Sequence, residues 1–194
     1  MRGCEQHRVH LVEVVFVLFE NVRERTAVVA RGGRREVGRE LELRNIKFIY
    51  RTEISRSTQY GQNELECLLV NTTGELKHFY QAATVIFIGK SIIAQGGQNP
   101  IEPGALGKPM VFGPNMQNFT DIVNSFLTKD GAVQVPNSAE LEKALASLLG
   151  DPERCDQLGQ NALAVVRENQ GAIDRTVEMI LKHLDAQEVY IAPK

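Results

Sequence analysis

The sequence predicts an α/β domain whose sheet is parallel and covered on both faces. Three observations carry that expectation. Short runs such as Cys67 to Val70 (CLLV) and Thr84 to Ile88 (TVIFI) are apolar almost throughout, so they have no polar face to turn to water. These runs alternate with stretches of helical spacing. Sixteen glycines and no tryptophan in 194 residues suit a fold with many tight connections. A doubly wound, Rossmann-like domain follows. Its ligands are expected at the carboxyl ends of the strands, which points to the loops after Ile88 and after Phe112.

The elements follow in order. Residues 1–10 form an irregular start, and Leu11 to Phe19 (LVEVVFVLF) reads as a buried strand. Residues 22–44 are rich in Arg and Glu, locally +3, and are expected to hold one or two helices broken at Gly32-Gly33. Ile46 to Tyr50 reads as a strand, Thr52 to Asn63 as a loop and Cys67 to Val70 as a short buried strand. Thr73 to Ala83 reads as a helix with Thr72 or Thr73 as N-cap and Glu75 in its first turn. The strand Thr84 to Ile88 is followed by a Gly/Pro-rich segment, Gly96 to Pro109, and by the short strand Met110 to Phe112. Asn118 to Leu127 is helical in pattern, Ala132 to Val135 is a strand, and Pro136-Asn137-Ser138 caps a helix. Residues 138–149, 151–169 and 171–184 read as three helices in series.

Composition narrows the function. Hydrophobic residues at 43% and charged residues at 24% place the chain among globular proteins. A net charge of −2 provides no basic field for a nucleic-acid binder. The cysteines Cys4, Cys67 and Cys155 are odd in number and widely spaced, which argues against a disulfide scaffold or a zinc site and for a reducing compartment. The apolar run at Leu11 to Phe19 is nine residues long and contains Glu13. A membrane span needs about 20, and no signal-peptide cleavage pattern follows.

Gly89 to Phe119 is the segment that carries chemistry. A buried strand ends at Ile88, and Gly96-Gly97 allows close approach of a ligand to the backbone. Asn99 is placed to cap a short helix, with Pro100 or Pro103 in its first turn. A helix start after a glycine loop suits phosphate, and Glu102 beside it could accept hydrogen bonds from two sugar hydroxyls. Gly107 and Pro109 end the helix. Each piece taken alone has an ordinary structural role as a turn, a dipole partner or a connection.

The run GGQNPIEPGALGKPMVFGPNMQNF resembles the C-terminal signature of bacterial 3-deoxy-D-manno-octulosonic acid (Kdo) transferases. That pattern reads G-G-S, then G-G-H-N-x-x-E-P-A-A-x-G-x-P-V, then G-P-x-x-x-N-F. Asn71 to Tyr80 (NTTGELKHFY) resembles the family's D-T-x-G-E-L-x-x-F-Y, and Asn169 to Ile180 resembles N-x-G-A-x-x-R-T-x-x-x-I. The match covers about residues 36 to 185, leaving 1–35 as a poorly matching segment and 186–194 as a tail.

The resemblance implies the C-terminal, donor-binding half of a GT-B glycosyltransferase. In such enzymes two Rossmann-like domains enclose the site. The C-terminal one holds CMP-Kdo, and the N-terminal one holds the lipid A precursor and supplies a glutamate base. CMP leaves without a divalent metal at the reaction centre, at the cytoplasmic face of the inner membrane. Carried over, Gly96, Gly97, Asn99, Glu102 and Pro103 match the donor loop, with Glu102 on the cytidine ribose and Asn99 and amides near Gly97 either on phosphate or fixing the loop. Ser91 matches the serine of G-G-S, Thr73, Gly74 and Glu75 match T-x-G-E, and Asn118 and Phe119 match the closing N-F. Core packing for Phe119, a dipole role for Glu75 and an N-cap role for Asn118 are the competing readings.

The departures are specific. Lys90 replaces the second glycine of G-G-S, and Gln98 replaces the family's histidine. Lys90 is a candidate phosphate contact. The family's P-R-H arginine has its nearest candidate at Arg31. The resemblance places the acceptor domain and catalytic base outside these 194 residues, so no catalytic residue, metal or cofactor is assigned here beyond the donor substrate. Two readings stay open. One is a CMP-Kdo binding domain inactive alone, exposing an inter-domain face suited to self-association. The other is a nucleotide-binding or structural remnant.

Overall fold

The structure is a computed structural model and describes residues 16–18, 27–30, 34–55, 65–171 and 177–182. Seven strands form one sheet in the order β3-β4-β2-β1-β5-β6-β7. They are β1 (Phe16–Leu18), β2 (Ala27–Ala30), β3 (Phe48–Tyr50), β4 (Cys67–Val70), β5 (Val85–Ile88), β6 (Met110–Phe112) and β7 (Val133–Gln134). The helices are α1 (Arg34–Leu43), α2 (Leu76–Ala82), α3 (Ile101–Ala105), α4 (Thr120–Thr128), α5 (Ser138–Leu149) and α6 (Pro152–Asn169). Residues 177–182 are also helical, within the expected 171–184.

The pairings β2–β4, β3–β4, β5–β6 and β6–β7 are parallel, as expected of a doubly wound sheet. The exception is β1, which is antiparallel to both β2 and β5. Residues 19–26 join β1 to β2, fewer than the dozen or so that a parallel crossover requires. The expected helices in 22–44 are half right. Arg34–Leu43 is helical, but Ala27–Ala30 is a strand in register with Cys67–Val70. Its Val28-Val29 pair meets a waiting strand edge, and that pairing overrides the charged surroundings.

Alternate residues of the central strands enter opposite layers. Ile86, Ile88, Met110 and Phe112 pack with Tyr80, Val123, Phe126 and Val165. Val85 and Val111 pack on the other face with Val135, Leu148 and Leu158. Both faces are therefore dry, which explains the unbroken apolar runs. Phe112 and Phe126 are fully buried, and truncating either to Ala would cost about 3–5 kcal/mol.

Helices α5 and α6 carry side-chain caps, and α2 departs from the expected one. Asn137 Oδ1 accepts from the Glu140 amide at 3.0 Å, and Asp151 Oδ1 accepts from the Arg154 amide at 2.9 Å. Helix α2 begins at Leu76, later than expected, and neither Thr72 nor Thr73 caps it. The Thr72 hydroxyl donates to the Glu75 carboxylate instead.

Candidate functional site

Every strand but β1 points the same way, so the loops after β3, β4, β5 and β6 emerge at one edge of the sheet. Two clusters of side chains stand there.

The first is built from the loops after β5 and β6. The chain turns sharply at Lys90, whose φ is 56°. The Gly97 amide then donates to the Lys90 carbonyl at 3.2 Å, and the Gln98 amide to the Gly89 carbonyl at 3.1 Å. The Gly96 amide donates to Gln117 Oε1 at 3.0 Å. These bonds hold the loop in place. Gly97 sits at φ +67°, so glycine is favoured by conformation, and a Cβ there would lie 2.3 Å from Met116 Sδ and oblige that side chain to shift.

Ser91 is fully buried. Its hydroxyl donates to the Ile88 carbonyl at 2.6 Å and accepts from the Gly113 amide at 2.8 Å. The Ser91 carbonyl accepts from the Asn115 amide at 2.9 Å, and Asn115 Nδ2 donates to the Ile92 carbonyl at 2.8 Å. Ser91 thus joins the two loops from beneath. Asn118 lies in a 3-10 turn, Gln117–Phe119, and its amide donates to the Gly96 carbonyl at 3.3 Å; it does not cap α4. Phe119 packs against the larger core cluster, as its core reading expected.

Asn99 and Glu102 form the outer wall. Asn99 Oδ1 accepts from the Ile101 amide at 3.0 Å, and Asn99 Nδ2 stands 3.4 Å from Glu102 Oε1. Asn99 therefore caps the first amide of α3 and steadies the carboxylate next to it. Glu102 is exposed. Behind it lies Tyr80, whose phenol is pushed well above its ordinary pKa, first by burial and then by the Glu102 charge.

The second cluster stands at the ends of β3 and β4. Arg51 Nη2 lies 3.0 Å from Glu75 Oε1. The Thr72 hydrogen bond holds the Glu75 carboxyl below the usual carboxylate range, and the Arg51 charge lowers it further. Asn71 and Thr52 exchange two bonds, at 2.8 and 3.1 Å, that tie the two strand ends together. Thr73 and Gly74 are exposed beside them, and Gly74 has open space around it. Tyr80, which feels the Glu102 charge, lies on α2, the helix that starts after Glu75.

Of the expected residues, the first cluster unites Lys90, Ser91, Gly96, Gly97, Gln98, Asn99, Glu102 and Asn118, and the second holds Thr73, Gly74 and Glu75. Arg31 lies outside the described residues. The arginine at this edge is Arg51, which the sequence reading missed. The available signal was position: it directly follows a strand, at the carboxyl end where ligands are expected.

The strand ends of this layered α/β domain thus present a clasped glycine loop and an exposed carboxylate. The family model for glycosyl transferases group 1 matches residues 51–165, more than half of the chain, and the chain belongs to that family. More narrowly, its homologues include the 3-deoxy-D-manno-octulosonic acid transferases. The protein of that name from Haemophilus influenzae is 33% identical over 134 residues, covering 68% of this chain and 31% of the relative. The one from Rickettsia felis is 33% identical over 135 residues, covering 66% of this chain and 29% of the relative. The chain thus spans about a third of the length of these relatives. Among solved structures it is similar to the C-terminal CMP-Kdo binding domain of WaaA from Acinetobacter baumannii, with a TM-score of 0.64, 26% identity and 72% of each chain covered. The resemblance drawn from residues 96–119 and the Rossmann-like GT-B half are both confirmed.

Among the described residues no helix is long and apolar enough to cross a membrane.

Proposed function

We propose that this chain binds CMP-Kdo and serves as the donor half of a transferase that passes Kdo to a lipid A precursor at the cytoplasmic face of the inner membrane. The observation that carries the reading is the likeness of fold and sequence to a CMP-Kdo binding domain, with Glu102 presented beside the strand ends. In this reading Glu102 accepts hydrogen bonds from the cytidine ribose hydroxyls. Asn99, Gln98, Gly96 and Gly97 shape the loop against the nucleotide, and Asn118 closes it. Lys90 and Arg51 are candidate contacts for the phosphate whose charge grows as CMP departs. Thr73, Gly74 and Glu75 border the same cleft. The general base and the acceptor site belong to the remainder of the transferase, so this portion alone binds donor without transferring sugar.

The internal use of the amides at Gly96, Gly97 and Gln98 favours a second reading, in which the loop persists as architecture and no ligand is held.

Calorimetric titration with CMP decides between them, with UMP and a Glu102→Ala variant as controls. Preference for CMP over UMP, weakened in the variant, supports the donor domain. A folded sample that gives no heat supports the architectural reading.

A further inference from the structure

We infer that Gln117 is a positioning residue for the glycine loop, acting through the Gly96 amide, and that it sets how well the loop is arranged for the nucleotide; this rests on the donor-domain reading above. The family pattern leaves position 117 unspecified in G-P-x-x-x-N-F, so the inference comes from geometry rather than resemblance. Gly96 is buried, and its N–H donates to Gln117 Oε1 at 3.0 Å. The same short turn returns the Asn118 amide to the Gly96 carbonyl at 3.3 Å. Gly96 is therefore held on both sides by residues 117 and 118, twenty-odd positions away in sequence. The Asn118 bond is made by backbone and survives any side chain at that position. The Gln117 bond depends on one side-chain oxygen.

The turn that carries Gln117 is itself fixed. The Thr120 hydroxyl donates to the Gln117 carbonyl at 3.0 Å, and the Phe119 amide to the Met116 carbonyl at 2.9 Å. Met116 is buried directly under Gly97. Gln117 thus extends from a rigid base, and its amide oxygen is aimed rather than free to wander. Losing it leaves a buried N–H without its acceptor and lets Gly96, which strongly favours no single backbone conformation, sample others.

Gln117→Met keeps length and removes the acceptor; Gln117→Glu keeps the acceptor. Gly96 amide hydrogen exchange, followed by NMR without ligand, is expected to speed up about fivefold in Q117M, the effect of one ordinary net hydrogen bond, and to stay near wild type in Q117E. CMP affinity is expected to fall by about the same factor in Q117M, and the thermal midpoint by about 2–4 °C, because the buried Gly96 amide is left without its acceptor. Exchange at Gly96 that ignores Q117M, or a CMP affinity that does, overturns the inference. A wild-type chain that takes up no CMP overturns the donor reading instead, and the exchange measurement still decides whether Gln117 holds the loop.

Discussion

The Ser91 hydroxyl accepts a 2.8 Å hydrogen bond from the Gly113 amide, and a side chain on Gly113 would lie 2.1 Å from the Ser91 carbonyl oxygen. The two strand ends that carry the candidate site are thus pressed together with no room for even a methyl group. The residue matching the serine of the family's G-G-S is best understood as the rivet of that contact.

Ser91→Ala should destabilise the chain by about 1–3 kcal/mol, because the Gly113 amide is left buried without a partner. Gly113→Ala should cost about 3 kcal/mol, since the obstructing atom is backbone and cannot swing aside. Urea unfolding monitored by circular dichroism measures both. A Ser91→Ala midpoint equal to wild type would show that the hydroxyl is dispensable.

The Glu75 carboxyl has a folded pKa below its ordinary value, chiefly through the Thr72 hydroxyl and then through Arg51. A depressed carboxylate favours the folded state above its unfolded pKa, about 4.3, and loses that contribution as pH falls through the lower folded value. Thr72→Val should move the Glu75 titration, followed by carboxyl NMR, upward toward the ordinary value. Glu75→Gln should flatten the acid limb of the stability curve. An unmoved titration in Thr72→Val would remove the hydroxyl as the cause.

Cys67 is buried, and burial pushes its thiol up to about 12. Between the unfolded thiol value of about 8.5 and this raised one, the folded chain holds a proton that the unfolded chain has lost, so stability falls as pH rises through that window. Iodoacetamide at pH 8 should leave Cys67 unmodified in the native chain and alkylate it in urea, as read by peptide mass spectrometry. Native labelling at Cys67 would mean that the layer over β4 opens readily.

Asn137→Ala should cost about 1 kcal/mol through loss of the α5 cap. Urea unfolding monitored by circular dichroism measures the loss. A midpoint equal to wild type would show that the Asn137 side chain adds nothing to α5.

Much of the architecture was legible because it is local. Cys67–Val70, Met110–Phe112 and Ser138–Leu149 have the boundaries their patterns predict, since a strand buried on both faces must be apolar at every residue and a capped amphipathic helix announces its start. The glycine loop was legible from the order of Gly96, Gly97, Asn99, Glu102 and Gly107. What its glycines accommodate was not, because Met116 and Asn118 reach them from another loop.

The sequence by itself determined the class of fold, the central strands, the later helices and the segment that carries the chemistry, because periodicity and turn residues act over a few neighbouring positions. Only the tertiary structure decided that β1 runs against its neighbours, that Ala27–Ala30 is a strand, that Arg51 meets Glu75, and that Gln117 rather than a ligand receives the Gly96 amide. Each of those outcomes depends on groups far apart in the chain, brought together by the burial of two apolar layers, and no local pattern records which distant partner a hydrogen bond or strand edge will find.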